Sequence, residues 1–490
     1  MTSIETELYS RVGAKPTPAT EAPQHAPAAE IRLSEVIAAM SYALDITEGQ
    51  PQGHAARTCL IGMRIAQEIN LPPSDQSALF YGLLLKDLGC SSNAAKMCYL
   101  FGADDRQVKH DIKTIDWPKL TASIQFVQNQ VAPNGTRLER LLKMVSMALQ
   151  GPSGPKRLVQ TRCERGSSIA RQLGFPEATA TAIHQLDEHW NGKGHPQGLK
   201  GEQISLLARI MGLAQTVEVF FSQQGLLAAT DIAEDRRGRW FDPELVDAFL
   251  ATRDDIDFWR RVHHPNPHQQ VAAFEPPDAA LIADEPQLDA IAAAFAQVVD
   301  AKSPWTYKHS AGVADIAVGI GEVLGFGPQE LREIRRAGLL HDIGKLGVSN
   351  LILDKPGKMT DEEFADLKRH PAYTEQIVGR VAGLSQLAEM AAAHHEKLNG
   401  RGYHRGILAS SLPISSRLLS VADVFEALSA ARPYRDGLPI DKIYGIMDRD
   451  AGFAICDESY AALKTWVDRQ TFKARIDDQL EAVARLVAEI

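Results

Sequence analysis

The chain repeats itself, and the repeat limits what it can fold into. His54 in "QGHAARTCLIG" and His309 in "YKHSAGVADIA" stand 255 residues apart, as do Asp87 in "GLLLKDLGCS" and Asp342 in "GLLHDIGKLG". Further along, Glu188 and Glu396 are separated by 208 residues, and so are Arg209 and Arg417. Constant offsets on both sides of a single step of 47 residues are the mark of a duplicated unit. The extra residues belong to the first copy, between Asp87 and Glu188, and their natural place is about 93–160. The glycine skeleton E-x-x-N-G-x-G also occurs twice, in "EHWNGKG" and "EKLNGRG", but paired histidines precede it only in the second.

The repeated unit reads as helical. "PEATATAIHQLDEH", "SQLAEMAAAHHEKL" and "QELREIRRAGLLHDIGKL" place apolar residues three and four apart among good helix formers, and alternating β-branched runs are scarce. The expected fold is all-α, with two tandem helical bundles. Residues 1–30, rich in proline and alanine from 11 onward, are expected to be a disordered leader. Residues 31–262 form the first copy and 287–490 the second; 263–286, with five prolines, is expected to link them.

At 490 residues the chain has room for such a pair, and its 44% hydrophobic and 23% charged residues fit a globular protein. The net charge of -10 argues against coating a nucleic acid polymer or an anionic membrane. Five cysteines without a C-x-x-C pair give neither a disulfide framework nor a thiolate zinc site, so a reducing compartment is expected. The start carries no basic segment followed by an apolar run. Arg209, Gln215 and Glu218 interrupt the most apolar stretch, 204–221, which is expected to be a buried core helix and not a membrane span. A cytoplasmic location follows as the expectation.

The second copy holds His309, the pair His341-Asp342, His370, the pair His394-His395, and Asp423. Imidazole and carboxylate are ligands of hard and borderline metal ions. These side chains would suffice for two ions with positions left open for water and substrate.

The stretches "HSAGVADIA", "AGLLHDIGKLGVSNLILDKPGKMTDEEFADLKRHPAYTEQIV", "HHEKLNGRGYHRG" and "SVADVFEALSAARPYR" together resemble the HD-GYP phosphodiesterases, a branch of the HD superfamily of metal-dependent phosphohydrolases. The resemblance covers about residues 300–470. It implies a helical bundle around iron or manganese ions and hydrolysis of a cyclic dinucleotide, cyclic di-GMP or cyclic GMP–AMP, to a linear dinucleotide with a 5′ phosphate. It implies that Asp342 bridges two metals. His309, His341 and Asp423 would complete one site, and His370, His394 and His395 the other. Lys345 would hold the scissile phosphate, and Arg432 and Arg435 would face the ligand's phosphates.

Three positions depart from the family pattern. His404 stands in place of the signature proline, Asn399 in place of an aspartate, and Trp305 where three-metal members carry a glutamate. Trp305 precedes His309 by four residues, so it is expected on the same helix face. An indole has no lone pair for a cation, which leaves two ions as the expected number. The first copy resembles the same family in degraded form. Lys86, Cys90, Arg162, Leu186-Asp187 and Gln215 stand at the places of His341, Lys345, His370, His394-His395 and Asp423. It is expected to bind no metal pair and to serve packing, homodimer formation or sensing. Two alternatives stay open: a non-catalytic cyclic-dinucleotide-binding signalling protein, and another HD-type nucleotide phosphohydrolase.

Overall fold

In the computed structural model every regular element is a helix; the only strand-like pairings among the described residues are isolated bridges. The structure describes residues 31–115, 120–133, 135–150, 153–277, 281–306, 308–431 and 436–488. The expected leader lies outside them. In chain order the helices of the first half are α1 (Leu33–Thr47), α2 (His54–Glu68), α3 (Pro73–Leu85), α4 (Ala94–Phe101), α5 (Asp105–Ile112), α6 (Leu120–Gln130), α7 (Arg137–Gln150), α8 (Ser153–Gln172), α9 (Glu177–His184), α10 (Leu206–Gln224), α11 (Leu226–Asp235), α12 (Pro243–Ala251), α13 (Ile256–Val262) and α14 (Pro267–Val271). The second half contributes α15 (Glu285–Asp300), α16 (His309–Leu324), α17 (Pro328–Leu340), α18 (Asn350–Leu353), α19 (Asp361–Leu367), α20 (His370–Val378), α21 (Ser385–Ala392), α22 (Ile414–Ser429), α23 (Ile440–Met447) and α24 (Asp457–Ala488).

The offsets in the sequence reappear as helix boundaries. Helices α2 and α16 start 255 residues apart, and α3 and α17 share that offset at both ends. Helices α9 and α21 share an offset of 208 at both ends, and α10 and α22 start with the same displacement. The step between the two offsets falls on α4 to α7, which build a small core of their own from Met97, Leu100, Phe101, Val108, Phe126 and Val131. Residues 263–286 include α14, which packs on α2, so part of this stretch belongs to the bundle.

Local chemistry sets the helix ends. Helix α19 opens on a capping box in which Thr360 and Glu363 bond each other's backbone N–H groups, satisfying donors that the first turn leaves open. Helix α15 opens the same way on Asp284 and Gln287, with Pro286 in its first turn. Gly338 lets α17 lie close on α16, since a Cβ there would sit 2.7 Å from Ala314 Cα. Helix α10, the apolar stretch of the sequence, is a core helix with Val217 and Leu213 fully buried. No described helix is long and apolar enough to cross a membrane. Residues Ile31–Ile490 form one compact unit. Within it α1 reaches across to the second copy and packs on α20 and on the 3-10 turn Ile343–Gly347.

Candidate metal centre

The site is assembled from helix ends. His309 is the first residue of α16, and Lys308 before it is left-handed, with φ of 59°. His341 and Asp342 follow the last residue of α17, where the chain tightens into the 3-10 turn Ile343–Gly347. His370 opens α20, and His394 and His395 lie just beyond α21. Asp423 alone comes from the middle of a helix, on the buried face of α22. Gly344 holds the turn against α20: a Cβ at this position would lie 1.9 Å from the carbonyl oxygen of His370. Thr374 fastens it further, donating to His341 O at 2.8 Å and accepting from Gly344 N at 3.0 Å.

The structure brings all seven expected ligands together, and Asp342 lies at their centre. Its Oδ2 is 3.3 Å from both His309 Nε2 and His341 Nε2. Its Oδ1 is 3.4 Å from His370 Nε2 and 3.7 Å from His394 Nε2. Asp423 Oδ1 joins the first group, 3.3 Å from His309 Nε2, and Asp423 Oδ2 is 3.9 Å from His395 Nδ1. One carboxylate therefore faces two separate sets of imidazoles with its two oxygens.

The hydrogen bonds fix which ring nitrogen faces inward. His341, His370 and His394 each direct Nδ1 at a backbone carbonyl 2.7 Å away, on Gly338, Leu367 and Ala391 respectively. A carbonyl oxygen only accepts, so Nδ1 carries the proton and Nε2 presents its lone pair to the centre. Burial holds His370 and His395 down at about 3 and His394 well below its ordinary value, so these rings are neutral. His370 Nε2 and His394 Nε2 then face each other at 3.1 Å with two lone pairs. His341 Nε2 and Asp342 Oδ1 are buried without a hydrogen bond. Facing lone pairs and orphaned buried acceptors fit a cation between them. His309 differs: burial opposes its charge, but hydrogen bonds to Asp342, Asp423 and Glu426 outweigh it and hold the ring well above the usual value, so these carboxylates draw positive charge to this side of the cluster.

Two features of this site escaped the sequence reading. Glu426, one turn after Asp423 on α22, accepts a hydrogen bond from His309 Nδ1, which turns His309 Nε2 inward. Tyr403 packs its ring against His395, with centroids 4.4 Å apart. A signal for Glu426 was present, because Glu218 stands 208 residues earlier in the first copy and holds His54 in the same way. Lys345 Nζ lies 2.5 Å from Asp342 Oδ2; its side chain is 20% exposed, so it borders the open side of a buried cluster. Arg432 and Arg435 lie outside the described residues. Trp305 corrects an expectation. It sits in a separate 3-10 turn, Pro304–Thr306, and left-handed Lys308 breaks the chain before α16, so Trp305 does not share a helix face with His309. His404 bonds Glu375 at 3.0 Å, and Arg405 pairs with the same carboxylate.

In the first copy cationic side chains stand at the corresponding places. Lys86 Nζ is 3.0 Å from His54 Nε2 and pairs with Asp87. Arg162, at the place of His370, pairs with Asp187. Glu48, Asp87 and Cys90 form a buried group of metal-ligand type, but Lys113 adjoins it 3.1 Å from Glu48, and burial pushes the Cys90 thiol well up. These residues do not fit a metal ion.

The family model described as HD domain matches residues 150–245 and 293–458, one stretch in each copy. The chain is 43% identical over 432 residues to the 3'3'-cGAMP-specific phosphodiesterase 3 of Vibrio cholerae, covering 88% of this chain and 94% of that protein. A crystal structure described as a cyclic GMP-AMP specific phosphodiesterase of Vibrio cholerae superposes with a TM-score of 0.63 at 39% identity, covering 89% of this chain and 98% of that one. A cyclic di-GMP phosphodiesterase of Thermotoga maritima is 38% identical over 141 residues, 28% of this chain and 38% of that protein. With a helical bundle, a buried histidine–aspartate centre and these matches, the chain belongs to the HD domain family of metal-dependent proteins.

Proposed function

We propose that the protein hydrolyses a cyclic dinucleotide, with cyclic GMP–AMP as the preferred substrate, and that its second copy does the work. The observation that carries this reading is the arrangement around Asp342, whose two oxygens face two different sets of inward-pointing imidazoles. The near full-length similarity to a 3'3'-cGAMP-specific phosphodiesterase supports the substrate.

His309, His341 and Asp423 would hold one divalent ion and His370, His394 and His395 a second, with Asp342 shared between them. Iron or manganese suits this imidazole and carboxylate set. When bound, such ions supply Lewis-acid stabilisation of charge on phosphoryl oxygens. The chain's own residues do the rest. Carbonyl-tied Nδ1 atoms keep the rings in one tautomer, and Glu426 orients the ring of His309. Tyr403 braces the more exposed His395. Lys345, on the open side, offsets charge that develops on a non-bridging phosphate oxygen. Arg432 and Arg435 supply planar donors to the phosphates. Water adds to phosphorus and gives up a proton, the bond to the 3′ oxygen breaks, that oxygen is protonated to a 3′ hydroxyl, and the product is a linear dinucleotide with a 5′ phosphate.

The boundaries 31–262 and 287–490 divide the labour, the first copy lending structure or regulation. Purified protein supplied with Mn²⁺ or Fe²⁺ and offered cyclic GMP–AMP, cyclic di-GMP and linear nucleotides tests the reading. Linear dinucleotide should form, fastest from cyclic GMP–AMP. Turnover of linear nucleotides alone would contradict it.

A further inference from the structure

In the first copy, the residues at the places of the second copy's metal centre form the polar end of a cavity of about 930 Å³. This volume is at the upper end of what small-molecule pockets enclose. The cavity runs from Glu48, Cys90 and Arg162 into the space between the inserted helices α4 to α8.

The walls describe the body of the occupant. They are mostly flexible or aliphatic side chains, among them Met97, Leu100, Ile112, Met144, Met147 and Leu158, with the ring of Phe101 beside them, edge-on to Phe126. Trp240 also borders the cavity, but His189 stacks on it at 4.0 Å and Arg236 lies 3.8 Å from its ring centroid. Among the described residues the wall is mainly aliphatic, so an alkyl chain would find surfaces of its own kind.

The polar end describes the head. Lys86 pairs with Asp87, and Arg162 with Asp187. Glu48 lies between Lys109 at 3.7 Å and Lys113 at 3.1 Å, and Asp105 between Lys109 at 3.7 Å and Lys302 at 3.4 Å. Three ammonium groups thus share these two carboxylates. Lys113 lines the cavity with its side chain only 9% exposed, and its Nζ makes no aligned hydrogen bond among the described residues. Burial works against its charge, but Asp87 and Glu48 outweigh burial and hold it above the usual lysine range. A buried ammonium with unused donors calls for one more anionic acceptor.

We propose that the first copy binds a long-chain monocarboxylate, a fatty acid whose carboxylate meets Lys113 and whose alkyl chain lies among the inserted helices. The site is independent of the catalytic reading of the second copy, and its occupant differs in chemistry from a cyclic dinucleotide.

The test uses the full chain, stripped of lipid, with a dansyl-labelled undecanoic acid as fluorescent probe. Saturable binding at one site per chain is expected, with displacement by hexadecanoate. Hexadecanol, which keeps the chain and lacks the charge, should compete at least about tenfold less well. Met147→Trp, which fills the cavity, and Lys113→Met, which removes the charge, should each weaken the probe at least about tenfold while helix content stays unchanged. Absence of saturable binding would overturn the proposal. So would unchanged affinity in both variants, equal competition by the alcohol, or displacement of the probe by cyclic GMP–AMP.

Discussion

Replacing Glu426 tests whether the cluster is organised for metal from its outer side. Its carboxylate accepts a hydrogen bond from His309 Nδ1, and both side chains are at most 9% exposed. In Glu426→Ala, His309 keeps its place but loses the carboxylate acceptor that orients its ring. Gly312, which has no side chain, lies against this carboxylate, 3.0 Å from Glu426 Cγ to a Cβ built there. Loss of such an outer partner weakens a metal site by about 10–100-fold, or roughly 1.4–2.7 kcal/mol. Glu426→Gln retains an acceptor without the charge, and it should fall between Ala and wild type. Titration of the metal-free protein with Mn²⁺, followed by kcat/KM at saturating metal, measures the effect. Equal Mn²⁺ affinity in wild type and Glu426→Ala would refute this role.

Gly344→Ala should abolish hydrolysis and cost about 1–3 kcal/mol of stability, because the added methyl meets the backbone of His370; thermal melts and activity check it. Gly89→Ala, whose Cβ would lie 1.9 Å from Arg162 O, should destabilise similarly while the metal content stays that of wild type. Lys86→Met leaves Asp87 buried without its ammonium and should lower stability by about 3–5 kcal/mol at neutral pH, as denaturant titration would show. In spite of burial, Lys86 and Lys113 hold Asp87 below its ordinary value of 3.8. The wild-type advantage should therefore be present above that value and fade as pH falls below it. His404→Pro removes a contact to Glu375, whose side chain is 39% exposed, so melting should shift by less than about 1 kcal/mol equivalent, with activity retained.

The duplication was legible because it is written in spacing, and the same offsets return at the ends of α3 and α17 and of α9 and α21. The seven metal-type residues were legible as a set, through the resemblance of the stretches that carry them to one family, since His309 or His370 alone would pass for an ordinary histidine. Glu426 was missed although Glu218 repeats it at the 208 offset, since a glutamate in an amphipathic helix looks like any solvated charge until its partner, 117 residues away, is known. Trp305 was misplaced for a related reason. Four residues share a face only if the helix is continuous, and the left-handed Lys308 interrupts it. The cavity of the first copy depends on how α4 to α8 pack, and no local pattern encodes a space between helices.

The division of labour between the copies has one direct measurement: product formation from cyclic GMP–AMP by wild type, Asp342→Ala and Asp87→Ala, each loaded with the same metal. Asp342 faces both sets of imidazoles, whereas Asp87 faces Lys86. Asp342→Ala should form no linear dinucleotide, and Asp87→Ala should stay within about tenfold of wild type, or roughly 1.4 kcal/mol in barrier. Comparable loss in both variants, or full activity in Asp342→Ala, would contradict the account.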